Sequence, residues 1–342
     1  MPSRRPILAS FCVFARAFVG CAAVLVANAG GARGDEDVVR PEPKAATWSG
    51  QGLAAKYELD RGIAADPRVV LHDSFETRDL SRRWQSVEKF PGQIEFVAAK
   101  DSAADVHNGE QALRIRYQRG KNTGGHLYTS FAKGHERLFF RFYVRFPRGH
   151  GYVHHFVHLA GYRPPTPWPQ GGAGDRPRGD ERFSSGIDLY GDYGAVPAPG
   201  RWGLYSYWCE MQGSPGRYWG NEPAGGKRIL AVTDRWTCVE LMVKVNEVGQ
   251  RDGEQAFWID GECAGHWTGY RWRTDDELRV NAAWLLYYIT DDAVRRGRGE
   301  LKDESVLFDD IVVATEYIGP LSRAPEPAPN PPADRGGAAR NE

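Results

Sequence analysis

Three histidines, His154, His155 and His158, crowd into the segment V-H-H-F-V-H-L-A-G, which follows R-L-F-F-R-F-Y-V-R-F after a short turn. In that first segment Phe140, Phe142, Val144 and Phe146 alternate with Arg141, Tyr143 and Arg145, so the period of two of a β-strand puts an apolar row on one face and a cationic, phenolic row on the other. A sheet face bearing Arg, Tyr and His together can hold a carboxylated sugar and move a proton on it. A polysaccharide-handling site is therefore the first expectation. By the same alternation His154 and His158 share a face with Phe156, while His155 points the other way. No acidic or thiol ligand accompanies the three imidazoles, which argues against a metal site there.

Further candidates lie downstream. In W-G-L-Y-S-Y-W-C-E-M, Tyr205 and Tyr207 share one face, where phenols can donate protons or stack on sugar rings. Glu240 and Lys244 fall on the polar face of the strand around 237–245, either a groove floor or solvent. Asp73 and Glu76, with the pair Asp309 and Asp310, form an oxygen-rich set that would suit a structural calcium. A glycoside hydrolase would need two carboxylates across the scissile bond. Glu210, Asp188 and Glu240 are the candidates for that alternative.

The first 29 residues carry Arg4 and Arg5, an apolar stretch and the small residues Ala27-Asn28-Ala29, the pattern of a secretory signal peptide. An exported protein, periplasmic or extracellular, is expected. No later apolar run is long enough to span a bilayer. Basic and acidic residues number 44 each, and removing the leader's arginines leaves the balance slightly acidic, which gives no global field for nucleic acid. Cys209, Cys238 and Cys263 remain outside the leader; one disulfide is plausible, its pairing open.

The 40 glycines, 11 tryptophans and 15 tyrosines, with little helical periodicity, favour an all-β domain with long functional loops. Residues 30–68 read as a flexible lead-in, 69–320 as one domain and 321–342 as a Pro-rich disordered tail. Strands are expected at 112–117, 138–146, 153–160, 185–190, 203–211, 237–245, 255–259, 278–288 and 306–315. Without a βαβ rhythm these make an antiparallel two-sheet sandwich or jelly roll. Asp260-Gly261 marks a hairpin. The long loops 162–182, 212–228 and 290–305 hold Trp168 and Trp219, which suits them as binding walls.

The segments W-T-C-V-E-L-M-V-K-V-N, D-G-E-Q-A-F-W-I-D-G-E and V-L-F-D-D-I-V-V-A-T-E-Y-I-G resemble concanavalin A-like jelly rolls. More narrowly, the chain over 69–320 resembles the alginate-lyase-like polysaccharide lyases of family fourteen and related secreted bacterial proteins. The resemblance puts His155 at that family's catalytic lysine position, Ser185-Gly186-Ile187 at its Ser-x-Arg, with the arginine replaced, and Tyr205-Ser206-Tyr207 at its Tyr-x-Tyr. It implies β-elimination on a uronic acid polymer. Such chemistry needs a cation for the carboxylate, a base for the C5 proton and an acid for the leaving oxygen. Arg141 or Arg145 is expected as the cation, His155 or a tyrosinate as base, and Tyr205 or Tyr207 as acid. Arg145, Tyr143, His154, His158, Ser185, Trp168, Trp219 and Lys244 are expected to bind the substrate. No cofactor is required by this scheme, and a monomer is expected. The third alternative is a non-catalytic carbohydrate-binding jelly roll.

Overall fold

Residues that alternate apolar and polar along the chain do form strands, and what lies on each side of them organises the molecule. The structure, a computed structural model, describes residues 40–46, 48–87, 92–169 and 172–322. The expected leader, 1–29, and all but residues 321 and 322 of the expected tail lie outside the described residues. In chain order the strands are β1 (Glu42–Pro43), β2 (Val69–Asp73), β3 (Ser86–Val87), β4 (Ile94–Ala98), β5 (Gln111–Tyr117), β6 (Gly124–His135), β7 (Arg137–Arg145), β8 (Val157–Tyr162), β9 (Arg182–Tyr190), β10 (Arg201–Tyr207), β11 (Trp236–Lys244), β12 (Gly253–Ile259), β13 (Glu262–Tyr270), β14 (Val280–Tyr288) and β15 (Glu304–Ala314). One short helix, α1 (Asp291–Arg296), follows β14 and is capped by the Thr290 hydroxyl, which accepts from the Ala293 N–H at 3.2 Å.

The strands form two antiparallel sheets. One has nine strands in the order β1-β13-β12-β11-β7-β15-β5-β4, with β2 added beside β15; the other has six in the order β10-β9-β8-β14-β6-β3. The expected all-β sandwich is thus what the chain builds. Between the sheets, Phe140, Phe142 and Val144 of β7 and Val239, Leu241 and Val243 of β11 meet Val157, Leu159, Ile187, Leu204 and Leu285 of the smaller sheet. Burying each such side chain contributes about 1.5–3 kcal/mol. The Asp260-Gly261 turn joins β12 to β13 with φ of 51° and 80°, the left-handed pair that a tight hairpin requires.

The outer face of the nine-stranded sheet is covered by the first and last parts of the described chain. Leu53, Ala54 and Ile63 are buried there against Phe139, Met242, Trp258, Val312 and Ile318. Leu53 and Ala54 donate their N–H groups to the carbonyls of Tyr317 and Ile318, both at 2.9 Å. The expected lead-in is therefore, from Trp48 onward, a packed strap, and the domain begins earlier than 69. Leu321, assigned by sequence to the tail, donates its N–H to the Tyr143 hydroxyl at 2.9 Å.

This strap overturns the expected orientation of the cationic row. Arg141 is fully buried beneath it, paired with Asp60 and donating to the Asp310 carbonyl at 3.0 Å. Tyr143 stacks on His107 at 3.7 Å between ring centres, and Arg145 pairs with Asp105 at 2.6 Å. Lys244, on the same face, lies 3.3 Å from Glu254. Glu240, expected on a wetted face, is buried and accepts the Ile318 and Gly319 N–H groups at 2.8 Å. Alternation separates the two faces correctly, but it does not say which face a distant segment will cover.

Candidate functional site

The groove lies on the outer face of the six-stranded sheet, and strand register assembles it. Tyr205 of β10 stands opposite Gly186 of β9, which stands opposite His158 of β8, which stands opposite Trp284 of β14. One row further along, Tyr207 faces Ser184 and Ser184 faces Ala160. Gly186 is what lets this row close up, because a Cβ there would collide with the His158 ring. His155, His158, Tyr162, Arg182, Ser184, Tyr205, Tyr207, Trp284 and Leu286 line the resulting cleft, together with Gly172 and Ala173 from the β8–β9 loop.

His155 precedes β8, where the register with β14 slips by one residue: His158 stands opposite Trp284 but His155 opposite Tyr288, three residues against four. The His154 and His155 N–H groups both donate to the Tyr288 carbonyl, at 2.8 and 3.2 Å. Strict alternation therefore breaks: Phe156 and Val157 both enter the core, while His155 and His158 both line the cleft. The expectation that His155 and His158 point to opposite faces is corrected accordingly. His154 stacks on His155 with ring centres 4.1 Å apart, and its Nδ1 lies 3.0 Å from the Thr290 hydroxyl.

The His155 ring is aimed by Asp188. Its Nδ1 lies 2.8 Å from the Asp188 Oδ2, while Oδ1 accepts the Phe156 N–H at 2.7 Å. A carboxylate only accepts, so Nδ1 carries the proton and, in the neutral ring, Nε2 is left as a base. Burial works to raise the Asp188 carboxyl, but its interactions with His155, His158 and the Phe156 N–H outweigh it and hold it below its ordinary value. His158 is pushed down to about 4 by burial, and so remains a neutral ring.

Opposite stands the phenol pair. The Tyr205 ring centre is 4.7 Å from that of His155, and the Tyr205 and Tyr207 hydroxyls are 3.3 Å apart. Burial raises both phenols above the ordinary tyrosine value, and at Tyr205 the bond with Tyr207 adds to it. They are therefore protonated donors and not tyrosinate bases. The groove cation is Arg182, which sits over the Tyr207 ring at 5.9 Å and donates to the Asp175 carbonyl at 2.8 Å.

Arg182 takes the place expected for Arg141, and sequence reasoning missed it. The alternation of Arg182, Ser184, Gly186 and Asp188 along β9 was the signal available. The same alternation corrects Ser185, which points inward and donates to the Gln255 side chain at 2.7 Å; its neighbour Ser184 faces the groove. Trp168 and Trp219 are 60% and 54% exposed on their loops, so their faces are open to a ligand.

The hydrolase carboxylates do not meet. Glu210 pairs with Arg251 at 2.9 Å, Glu240 lies on the opposite sheet, Asp188 sits behind His155, and no described residue lining the cleft is acidic. The acidic pair is tied to protein donors. Asp309 accepts the His107 N–H at 3.0 Å, Asp310 lies 2.6 Å from His107 Nδ1, and Asp73 accepts the Trp84 indole N–H at 2.8 Å. Among the described residues no group of three or more His, Cys, Asp or Glu is arranged to hold a metal ion. Cys209, Cys238 and Cys263 are free thiols, so the expected disulfide does not form.

No protein-family model and no curated protein matches the chain. Solved structures do. An alginate lyase from a Chlorella virus superposes with a TM-score of 0.52 at 12% identity, over 72% of this chain and 99% of that one. The sandwich is that of the alginate lyases. The marine PL-14 alginate lyase from Aplysia kurodai likewise matches with a TM-score of 0.52 at 17% identity, over 72% of this chain and 97% of that one. At these identities the likeness is one of fold, and the alginate-lyase-like resemblance read from the sequence holds at that level.

Proposed function

We propose that this protein is an exported lyase that cleaves a uronic acid polysaccharide by β-elimination at the His155–Tyr205 cleft. The observation that carries the proposal is the joining of an Asp-oriented imidazole and a protonated phenol pair on one wall of this fold. His155 Nε2 takes the C5 proton of the uronate. The electron pair left on C5 forms the C4–C5 double bond, the C4–O bond breaks, and the Tyr205 hydroxyl supplies the proton to the departing oxygen. Arg182, at the same wall, balances the carboxylate charge that builds as C5 loses its proton.

Base and acid are close neighbours, so proton removal and delivery occur from the same face of the sugar. Elimination of that kind requires C5–H and C4–O to be cis. Uronates of D-manno or D-gluco configuration meet this requirement and L-guluronate does not. The scheme uses only side chains of this chain and calls for no cofactor.

The test is incubation of the purified protein with mannuronan, glucuronan and guluronan, following the ultraviolet absorbance of the new double bond. Absorbance should rise with the first two. No rise with any of the three rejects a lyase, and a rise with guluronan alone rejects the same-face scheme.

A further inference from the structure

The groove face of a sandwich is ordinarily open to solvent, yet here Tyr128, Ala160, Tyr162 and Ala282 on that face are at most 4% exposed. They form a small apolar cluster of their own, packed with Trp284. What covers them is the loop between β8 and β9. The Tyr128 hydroxyl, on β6, donates to the Thr166 carbonyl at 3.1 Å, and Arg182 donates to the Asp175 carbonyl. Its described residues, 163–169 and 172–181, thus lie across the sheet between β6 and β9 as a transverse wall.

At its far end this wall is fused to the long loop that follows β10. Gly174 and Tyr218 exchange both backbone hydrogen bonds, at 3.0 and 3.2 Å, and the Arg176 guanidinium lies over the Tyr218 ring at 5.5 Å. From Tyr218 the second loop turns along the free edge of β10, where Asn221 and Ser206 exchange backbone bonds at 2.9 and 3.1 Å. Gly220 lies directly against the Tyr205 ring, so close that a Cβ would collide with it. Trp219 projects beside it. Two sides of the cleft are therefore walled by chain joined through backbone hydrogen bonds, and both walls meet at the tyrosine pair.

We propose that the groove is blind at Tyr205 and Tyr207 and seats the end of a uronate chain, entering from the β14 and β6 side, so that the protein shortens polymers from one terminus. This rests on the lyase reading for the cleavage itself but not for the seating of the chain end. A polymer passing through would have to part the Gly174–Tyr218 pair and lift Asn221 off the β10 edge. An end needs no such opening.

Two arms test it. In the binding arm, a uronate hexasaccharide and a long polymer of the same residue are titrated against the wild-type protein in the cold, under conditions where no product forms. Half-saturation should follow the molarity of chain ends, so the hexasaccharide should need roughly tenfold less mass than the polymer, or less still. Half-saturation that follows total mass overturns the blind groove alone, and no binding of either overturns it together with the lyase reading. In the product arm, wild type should release short unsaturated sugars while the polymer's size-exclusion peak and viscosity hold. Tyr218→Ala, which removes the ring under Arg176, should shift the products toward internal cuts. An early collapse of polymer length with wild type overturns the proposal, whereas absence of product with end-following binding overturns only the lyase reading.

Discussion

His155 is held by three different contacts. The Asp188 bond sets its tautomer, the backbone bonds to the Tyr288 carbonyl set its position, and the Tyr205 ring lies against it. Removing the base by His155→Ala should lower kcat by about 10²–10⁴-fold with KM little changed, as expected for an interaction made in the transition state. Asp188→Asn should cost much of the same, because an amide no longer demands a proton on Nδ1. Tyr205→Phe should abolish turnover while leaving oligosaccharide binding within a few-fold, measured by calorimetry. If Tyr205→Phe keeps wild-type turnover, the acid lies elsewhere. Arg182→Ala should instead raise KM as well as lower kcat, since its charge meets the carboxylate in both the ground and the transition state.

At the scale of elements, the strap packs on the outer face of the nine-stranded sheet and ties it to the chain segment 317–321. Arg141→Met should destabilise the fold by about 3–5 kcal/mol, because Asp60 is then left buried without its counter-charge. Sugar binding by the folded fraction should be unchanged, because Arg141 faces away from the groove. Glu240 gives the strap a pH dependence. Burial pushes its carboxyl up to about 7 against the pull of the two backbone donors and Arg141. A carboxyl raised on folding stabilises below its ordinary value of 4.5 and loses that contribution as pH rises through about 7. Wild type should therefore lose on the order of 3 kcal/mol more than Glu240→Gln between pH 5 and pH 8, by urea unfolding. Parallel curves would show that Glu240 is already ionised at the lower pH.

The same layer explains what was legible in the sequence. Tyr205 and Tyr207 could be read because β10 is regular there and the period of two survives. Ser185 failed by a single position, and the expected opposition of His155 to His158 failed at the irregular segment before β8, whose geometry has no local signature. The Arg141 row failed for a longer-range reason: Asp60, its partner, stands 81 residues earlier, in a segment whose glycines and charges read as a lead-in. Fold class survived all of this, since it needs only that strands alternate and not which side is later covered.

Taken as a whole, the molecule buries groups that pull its acid stability in opposite directions. His150, His154 and His158 are each pushed down to about 4 by burial, so acidification from about 6.5 favours the unfolded chain, which takes up those protons first. Asp73, Glu240, Glu304 and Asp309 are raised, chiefly by burial, so the folded chain takes up protons there before the unfolded one. The two sets oppose one another in linkage.

Both extremities of the described chain, Arg40 and Ser322, emerge on the nine-stranded side, with the cleft facing the opposite way. A surface or a dye attached at Arg40 or Ser322 would leave the cleft pointing outward. The described part of the molecule is thus suited to tethering at either of these residues, with the groove face left to free solution.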